Sequence, residues 1–327
     1  MTKYGYSLLS EQNSAKDLVR YAAWAEEVGF DFEVCSDHYS PWLASQGHAP
    51  NAWAVLGAVA AMTDRVDLYS YVTCPTVRYH PAVVAQQAAT VQDLADGRFT
   101  LGLGTGENLN EHVVGKGWPG YQQRLDMLCE AIKIIRELLD GEVVTRRGEH
   151  FAVDGAKLWG LPDQPVPIGV SMTGPKAVGR LSDFADHLIN VAPDKSIVDA
   201  WRQARRAAGL DAGRAVAQVP IAWGTDRAEA VARAHDQFRW FGGGWSVNAE
   251  LRSPRAFHDA AGQVRPADVA DQIVCGPDID AIVDVVRVHR AAGFTDIALL
   301  QIGGDAQESF LADAAHAVLA ALRADES

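Results

Sequence analysis

Tyr4-Gly5-Tyr6-Ser7-Leu8-Leu9 is an apolar run that ends directly in Ser10-Glu11-Gln12. The run predicts a buried strand over residues 4–9, and the three residues after it separate two parallel-sheet architectures. A doubly wound open sheet carries a GxGxxG turn after its first strand. Ser10-Glu11-Gln12 contains no glycine. A closed (β/α)8 barrel needs no such turn and places its working residues at the C-terminal ends of its strands, which is where Glu11 falls.

The same rhythm continues along the chain. Strands are expected at residues 4–9, 30–35, 66–73, 99–103, 166–171, 187–191, 215–222 and 296–301. Helices are expected at 15–28, 53–62, 81–94, 123–139, 176–185, 196–208, 227–240, 279–292 and 306–322. The first helix stops at Gly29, the third takes Pro81 into its first turn, and the fourth repeats apolar residues every three or four positions. Strands this short and apolar belong to a parallel sheet covered by helices. Eight of them in one α/β chain predict a (β/α)8 barrel formed as a single domain over residues 1–327. Residues 104–165 and 241–275 are longer than ordinary connections. They place insertions after strands 4 and 7, which in a compact domain serve as walls or lids.

Composition bounds the function. Of 327 residues, 48% are hydrophobic, enough for a full core, and 22% are charged without a low-complexity run. Order is expected everywhere except at the last residues, 323–327. A net charge of −13 with no basic stripe excludes nucleic acid as the expected partner. Cys35, Cys74, Cys129 and Cys275 form no CxxC pair, so neither a zinc site nor a disulfide framework is signalled. The opening MTKYGYSLLSEQ lacks the cationic start and apolar stretch of a signal peptide, and no run is long enough to span a bilayer. The expected compartment is the cytoplasm.

Polar residues just after a strand are the candidates for chemistry. Strand two leads into Ser36-Asp37-His38-Tyr39-Ser40-Pro41-Trp42, where a carboxylate can orient an imidazole and Trp42 offers a flat apolar wall; a plain loop cap is the competing reading. Strand three leads into Tyr71-Val72-Thr73-Cys74-Pro75, which read plainly is a proline turn. Strand four leads into Gly102-Leu103-Gly104-Thr105-Gly106-Glu107-Asn108-Leu109-Asn110, glycines that let backbone approach a ligand, or merely a tight turn. Strand five leads into Thr173-Gly174-Pro175, a helix start that binds phosphate or is simply capped. Glu11 is either a first-turn acid or a wall of the site. His48, His80, His112, His150, His187, His235, His258, His289 and His316 have no metal-ligand spacing, and no metal is expected. Trp118, Trp159, Trp201, Trp223, Trp240 and Trp245 are expected to pack rather than to stack on a ligand.

Taken together, SDHYSPW, TCPTVRYHPAVVAQ, LGLGTGENLNE and TGPKA, in this order at successive strand ends, resemble the F420-dependent branch of the luciferase-like family, the subgroup with glucose-6-phosphate and secondary alcohol dehydrogenases. The resemblance covers nearly the whole chain and is thin beyond about Ala208. It implies a TIM-barrel homodimer that holds coenzyme F420, takes a small-molecule substrate, and transfers a hydride between C5 of the deazaflavin and an alcohol or carbonyl. By resemblance His38, Glu107 and Trp42 are catalytic. The implied cofactor contacts are Asp37, Tyr71, Val72, Thr105, Gly106, Glu107, Asn110, Thr173, Gly174 and Pro175, and Glu11 and Trp42 face the substrate. A non-proline cis peptide is implied at Tyr71–Val72, where Tyr71 is bulkier than the family pattern. His38 is expected to accept the alcohol proton with a pKa suited to neutral pH, and Glu107 to serve as a second proton partner.

One departure bears on substrate. Aligned by hand, the two lysines and the arginine that hold the sugar phosphate in the family fall on Asp194, Asp259 and Asp271, so a neutral alcohol, ketone or unphosphorylated sugar is expected unless Lys195, Arg252, Arg255 or Arg265, nearby in sequence, replace those cations. The alternatives are an F420H2-dependent reductase of a biosynthetic pathway and an FMN-dependent monooxygenase of the same superfamily. A non-catalytic barrel is disfavoured because a pure binder needs no proton-transfer groups.

Overall fold

The computed structural model describes residues 1–326. Its strands are β1 Lys3–Leu8, β2 Phe32–Cys35, β3 Asp67–Ser70, β4 Phe99–Leu103, β5 Val144–Arg147, β6 Ala152–Ala156, β7 Ile168–Ser171, β8 His187–Ile189, β9 Ala215–Ala222, β10 Val274–Cys275 and β11 Asp296–Gln301. Eight of them, β1, β2, β3, β4, β7, β8, β9 and β11, pair in parallel, and Leu188 against Ala215 with Ile189 against Val216 closes the ring. The result is a (β/α)8 barrel. The two-residue β10 adds to the C-terminal end of β9, beyond the part that β8 covers.

Alternation builds two layers of core. Tyr4, Tyr6 and Leu8 of β1 point outward, where they join Leu101 and Leu103 of β4 and the apolar stripes of the surrounding helices. Phe32, Val34, Tyr69, Ile189, Val216 and Ala298 fill the barrel interior. Phe32, Val34, Ile189 and Val216 each contribute roughly 1.5–3 kcal/mol on burial, and the barrel has no open edge to protect.

Local signals explain the helix ends. Ser14 accepts from the Asp17 N–H at the start of Ala15–Val28, His80 from Ala82 N at Pro81–Leu94, and Asp278 from Ala281 N at Ile279–Ala292. Two helices and the C-terminal tail depart most from the sequence expectation. The helix expected over 176–185 is Pro175–Leu181: buried Arg205 donates to the carbonyls of Ser182 and Ala185 and draws the chain out of the helix. The helix expected over 306–322 is broken by a π turn at Phe310–Ala314 before Ala315–Ala324. That wider turn keeps Phe310, Leu311, Ala314 and Ala315 all in the core. The tail is tied down rather than loose, with Asp325 paired to Arg287 and Arg290, and Glu326 bonded to Tyr4. Ser327 lies outside the described residues.

Between β4 and β7 the chain forms the short helix Asn108–Glu111, the long helix Tyr121–Leu139 and the antiparallel hairpin β5–β6. Between β9 and β11 it forms the helix Arg227–Phe238, the 3-10 turn Arg239–Gly243, and the short helices Trp245–Asn248, Pro254–Ala260 and Pro266–Ala270 before β10. Among the described residues no helix is long and apolar enough to cross a membrane.

Candidate active site

The loop after β2 is fixed from below. Asp37 is buried, and its carboxylate accepts from Thr73 Oγ1 at 2.7 Å, Arg78 Nη2 at 3.1 Å and the Tyr79 hydroxyl at 3.2 Å. Arg78 also donates to the Asp37 carbonyl at 2.8 Å, and Glu111 accepts from the Arg78 N–H at 2.7 Å. These contacts lock the loops after β2, β3 and β4 to one another. Asp37 itself does not line the barrel-mouth cavity.

His38, the next residue, does line it. Its Nδ1 lies 3.0 Å from Glu11 Oε1, a close ion pair with both side chains almost wholly buried. Ser36 Oγ donates to the other Glu11 oxygen at 2.6 Å. Burial by itself would lower the His38 pKa, but the Glu11 carboxylate outweighs it, with Glu107 adding to the effect, and the imidazole is pushed up to about 9. Burial would likewise raise Glu11, but the charge on His38 holds it below the ordinary carboxyl value. This corrects the expectation of a near-neutral His38: the free protein holds an imidazolium at pH 7. Nε2 has no hydrogen-bond partner among the described residues and is the nitrogen left to meet a ligand.

An aromatic wall stands beside the imidazole. The His38 ring sits 4.7 Å from Trp42, and Trp42 stacks on Trp240 at 4.2 Å with the planes 16° apart. Phe257 closes on Trp42 edge-on at 5.0 Å.

After β3 the Tyr71–Val72 peptide is cis, and both residues line the cavity. The glycines after β4 permit close approach to that turn. A Cβ on Gly104 would lie 2.7 Å from Val72 Cγ2, and Gly106 has φ +86°, where a side chain is strained. Thr105, Gly106 and Glu107 border a smaller hollow of about 60 Å³, whose lining shares Val72, Glu107, Ser171, Thr173 and Trp245 with the main cavity of about 390 Å³. Asn110 is buried behind them. Its Oδ1 accepts from the backbone N–H groups of Tyr39 and Ser40 at 2.9 and 3.2 Å, and its Nδ2 donates to Glu107 Oε2 at 3.2 Å.

The structure therefore gathers Glu11, His38, Trp42, Tyr71, Val72, Glu107 and Thr173 around one cavity, with Thr105 and Gly106 beside it. Asp37 and Asn110 brace these residues from behind. Gly174 and Pro175 open the helix Pro175–Leu181 next to Thr173 and line neither hollow. Sequence reasoning assigned Trp240 and Trp245 to packing, yet both line the cavity, as do Phe238, Phe241, Asn190 and Gln218. The one readable signal was two tryptophans flanking Gly242-Gly243-Gly244 in an overlong connection. Asp194 lines the cavity as well, whereas Asp259 and Asp271 do not.

Comparison with known proteins agrees with this architecture. A family model described as luciferase-like monooxygenase matches residues 2–321. An F420-dependent glucose-6-phosphate dehydrogenase of Nakamurella multipartita is 34% identical over 334 residues, covering 98% of this chain and 97% of the relative. One from Kineococcus radiotolerans is 36% identical over 336 residues, covering 98% and 97%. Among solved structures, an F420-dependent secondary alcohol dehydrogenase in complex with an F420-acetone adduct superposes with a TM-score of 0.89 at 29% identity, over 98% of this chain and 99% of the other. The coenzyme F420-dependent tetrahydromethanopterin reductase of Methanopyrus kandleri, at 19% identity and a TM-score of 0.74 over 95% and 98%, shares the fold. With a family model spanning nearly its whole length and full-length relatives above 30% identity, this chain belongs to the luciferase-like monooxygenase family.

Proposed function

We propose that the protein is an F420-dependent oxidoreductase that interconverts an alcohol and a carbonyl compound. The observation that carries this reading is the buried Glu11–His38 ion pair, which opens with Glu107 into one cavity bounded by Val72. The residues present suit a flat tricyclic ring. The cavity measures about 390 Å³ and is mostly apolar, the Tyr71–Val72 turn forms part of its wall, and the Gly104 to Gly106 segment borders the adjoining hollow that shares Val72, Glu107 and Thr173 with it. Val72, Glu107 and Thr173 would hold the ring, with Thr105 and Gly106 beside them and Asp37, Asn110, Gly174 and Pro175 supporting from behind.

Bound F420 supplies the two-electron hydride chemistry at C5; the proton is left to the chain. In the reductive direction the His38 imidazolium donates its proton to the carbonyl oxygen, and Glu11 keeps it charged until then. In the oxidative direction His38 must first lose that proton to accept another from the alcohol hydroxyl. A pKa pushed up to about 9 thus supports a reductase running at neutral pH and an oxidation that quickens as pH rises towards 9. Trp42 packs beside the imidazole and excludes water. The same reading carries a single-domain homodimer working in the cytoplasm; sedimentation velocity checks the dimer.

The deciding experiment titrates the purified protein against oxidised F420, with FMN and NADP in parallel, and monitors quenching of deazaflavin fluorescence. Tight binding of F420 alone is expected. A preference for FMN would sink the proposal and move the protein to the oxygen-using branch of its family.

A further inference from the structure

The cavity's charges and walls restrict what it can accept. The charged side chains that line it are Glu11, His38, Glu107 and Asp194, and among the described residues no lysine or arginine joins them. His38, the one cation, is already neutralised by Glu11 at 3.0 Å. An anionic substrate entering this mouth therefore meets carboxylates with no free positive charge to offset them.

The three amide side chains of the lining are each partly engaged elsewhere. Asn190 Oδ1 accepts from Ala192 N, Gln218 Nε2 donates to Ser7 Oγ at 3.1 Å, and Asn248 Nδ2 donates to the Trp240 carbonyl. Tyr71 Oη and Trp240 Nε1 are buried without a hydrogen-bond partner among the described residues, and Ser171 and Thr173 add hydroxyls, but most of the remaining wall is apolar and aromatic. Trp42 stacks on Trp240, Phe241 meets Trp240 edge-on at 6.0 Å, and Val191 and Pro220 complete it. Trp245 is 45% exposed and lines both hollows at the mouth. A half-exposed tryptophan in that position marks a surface for an apolar ligand to cover.

We infer that the substrate is an uncharged secondary alcohol or ketone bearing a bulky apolar ring, and that Trp240 and Asp194 select it, the first by stacking and the second by repelling phosphate. This names the substrate class of the activity proposed above and rests on it. The step balances. An alcohol carbon loses a hydride to F420 and the hydroxyl loses a proton to neutral His38, leaving the ketone.

The test begins without cofactor, so that the two proposals can fail separately. Saturation-transfer NMR on the cofactor-free protein uses 1-phenylethanol, glucose, glucose 6-phosphate and the cationic 2-amino-1-phenylethanol as probes. Transfer to the phenyl protons of 1-phenylethanol is expected, lost in Trp240→Ala and recovered in Trp240→Phe, with none to glucose 6-phosphate. With F420 added, kcat/KM for 1-phenylethanol should exceed that for glucose 6-phosphate by at least ~100-fold, and Asp194→Lys should narrow the gap. Binding or turnover of glucose 6-phosphate on a par with the alcohol overturns the inference, as does binding of the cationic probe in preference to the neutral one. Retained 1-phenylethanol binding with no F420 binding supports the pocket assignment and sinks the cofactor proposal instead.

Discussion

His38 and Glu11 set each other's charge, and the sign of that coupling gives two tests. A histidine whose folded pKa is raised from 6.5 to about 9 contributes stability that is complete below about pH 6.5 and is lost as pH rises through 9. Replacing Glu11 with glutamine removes the carboxylate that opposes burial, so the His38 pKa should fall and the alkaline limb of the reduction rate should move from near 9 towards neutrality. A pH–rate profile or an NMR titration of the imidazole reads this directly; an unmoved limb would remove Glu11 from the proton path. His38→Ala should lower kcat by roughly 10²–10⁴-fold while F420 binding persists. Glu33 is a different case. It lies buried on β2, and neither carboxylate oxygen has a hydrogen-bond partner among the described residues. Burial raises its pKa well above the usual value, with Glu26 adding and Arg98 opposing. Such a carboxyl weakens the fold as pH rises above its unfolded pKa. Glu33→Gln should therefore melt higher than the parent at about pH 8 and level with it at about pH 4, as differential scanning calorimetry can check.

At the scale of elements, the site depends on how three strand-end loops are pinned. Asn110 bridges the backbone of Tyr39 and Ser40 to Glu107, so it fixes the loop after β2 against the loop after β4. Asn110→Ala should release both and lower kcat by up to ~100-fold through misplacement of His38 and Glu107. The pH limb near 9 should shift far less than in Glu11→Gln, because Asn110 bonds to neither Glu11 nor the imidazole and Glu11 influences the imidazole more than Glu107 does; steady-state kinetics across pH separate this from loss of the pair. The elements themselves differed in legibility. Pro81–Leu94, Ile279–Ala292, β4, β9 and β11 fall where apolar periodicity and caps place them. The hairpin β5–β6 does not, because its strands are half exposed and carry few apolar residues. Their turn is held instead by Glu130 of the preceding helix Tyr121–Leu139, which accepts from the backbone of His150 and Phe151.

At the scale of the molecule, the barrel is fastened at its lower end as well as along its ladders. Asp296 on β11 is fully buried, and accepts from Arg214 Nε at 2.6 Å and from Thr295 Oγ1 at 2.6 Å, tying β9 to β11. Asp296→Ala should cost about 2 kcal/mol, the scale of a hydrogen bond to a charged group, measured by chemical denaturation. Because Asp296 lies far along the strands from the mouth, at the N-terminal start of β11, F420 affinity of the folded fraction should be unaffected.

The amino-acid sequence alone determined the barrel, since eight short apolar strands alternating with amphipathic helices leave few other ways to bury both faces of a parallel sheet. It also pointed to strand-end loops that meet at the barrel mouth, through His38, Trp42 and Glu107, which line the cavity. Only the tertiary structure decided their parts. Asp37 and Asn110 spend their hydrogen bonds on backbone and side chains behind the cavity, while Glu11, 27 positions before His38, supplies the charge that keeps the imidazole protonated. Trp240 became a cavity wall because the connection after β9 folds back over the mouth and stacks it on Trp42. Local pattern reports which face of an element is apolar; a pKa or a pocket depends on charges and surfaces brought together from distant parts of the chain, and that juxtaposition exists only once the barrel has closed.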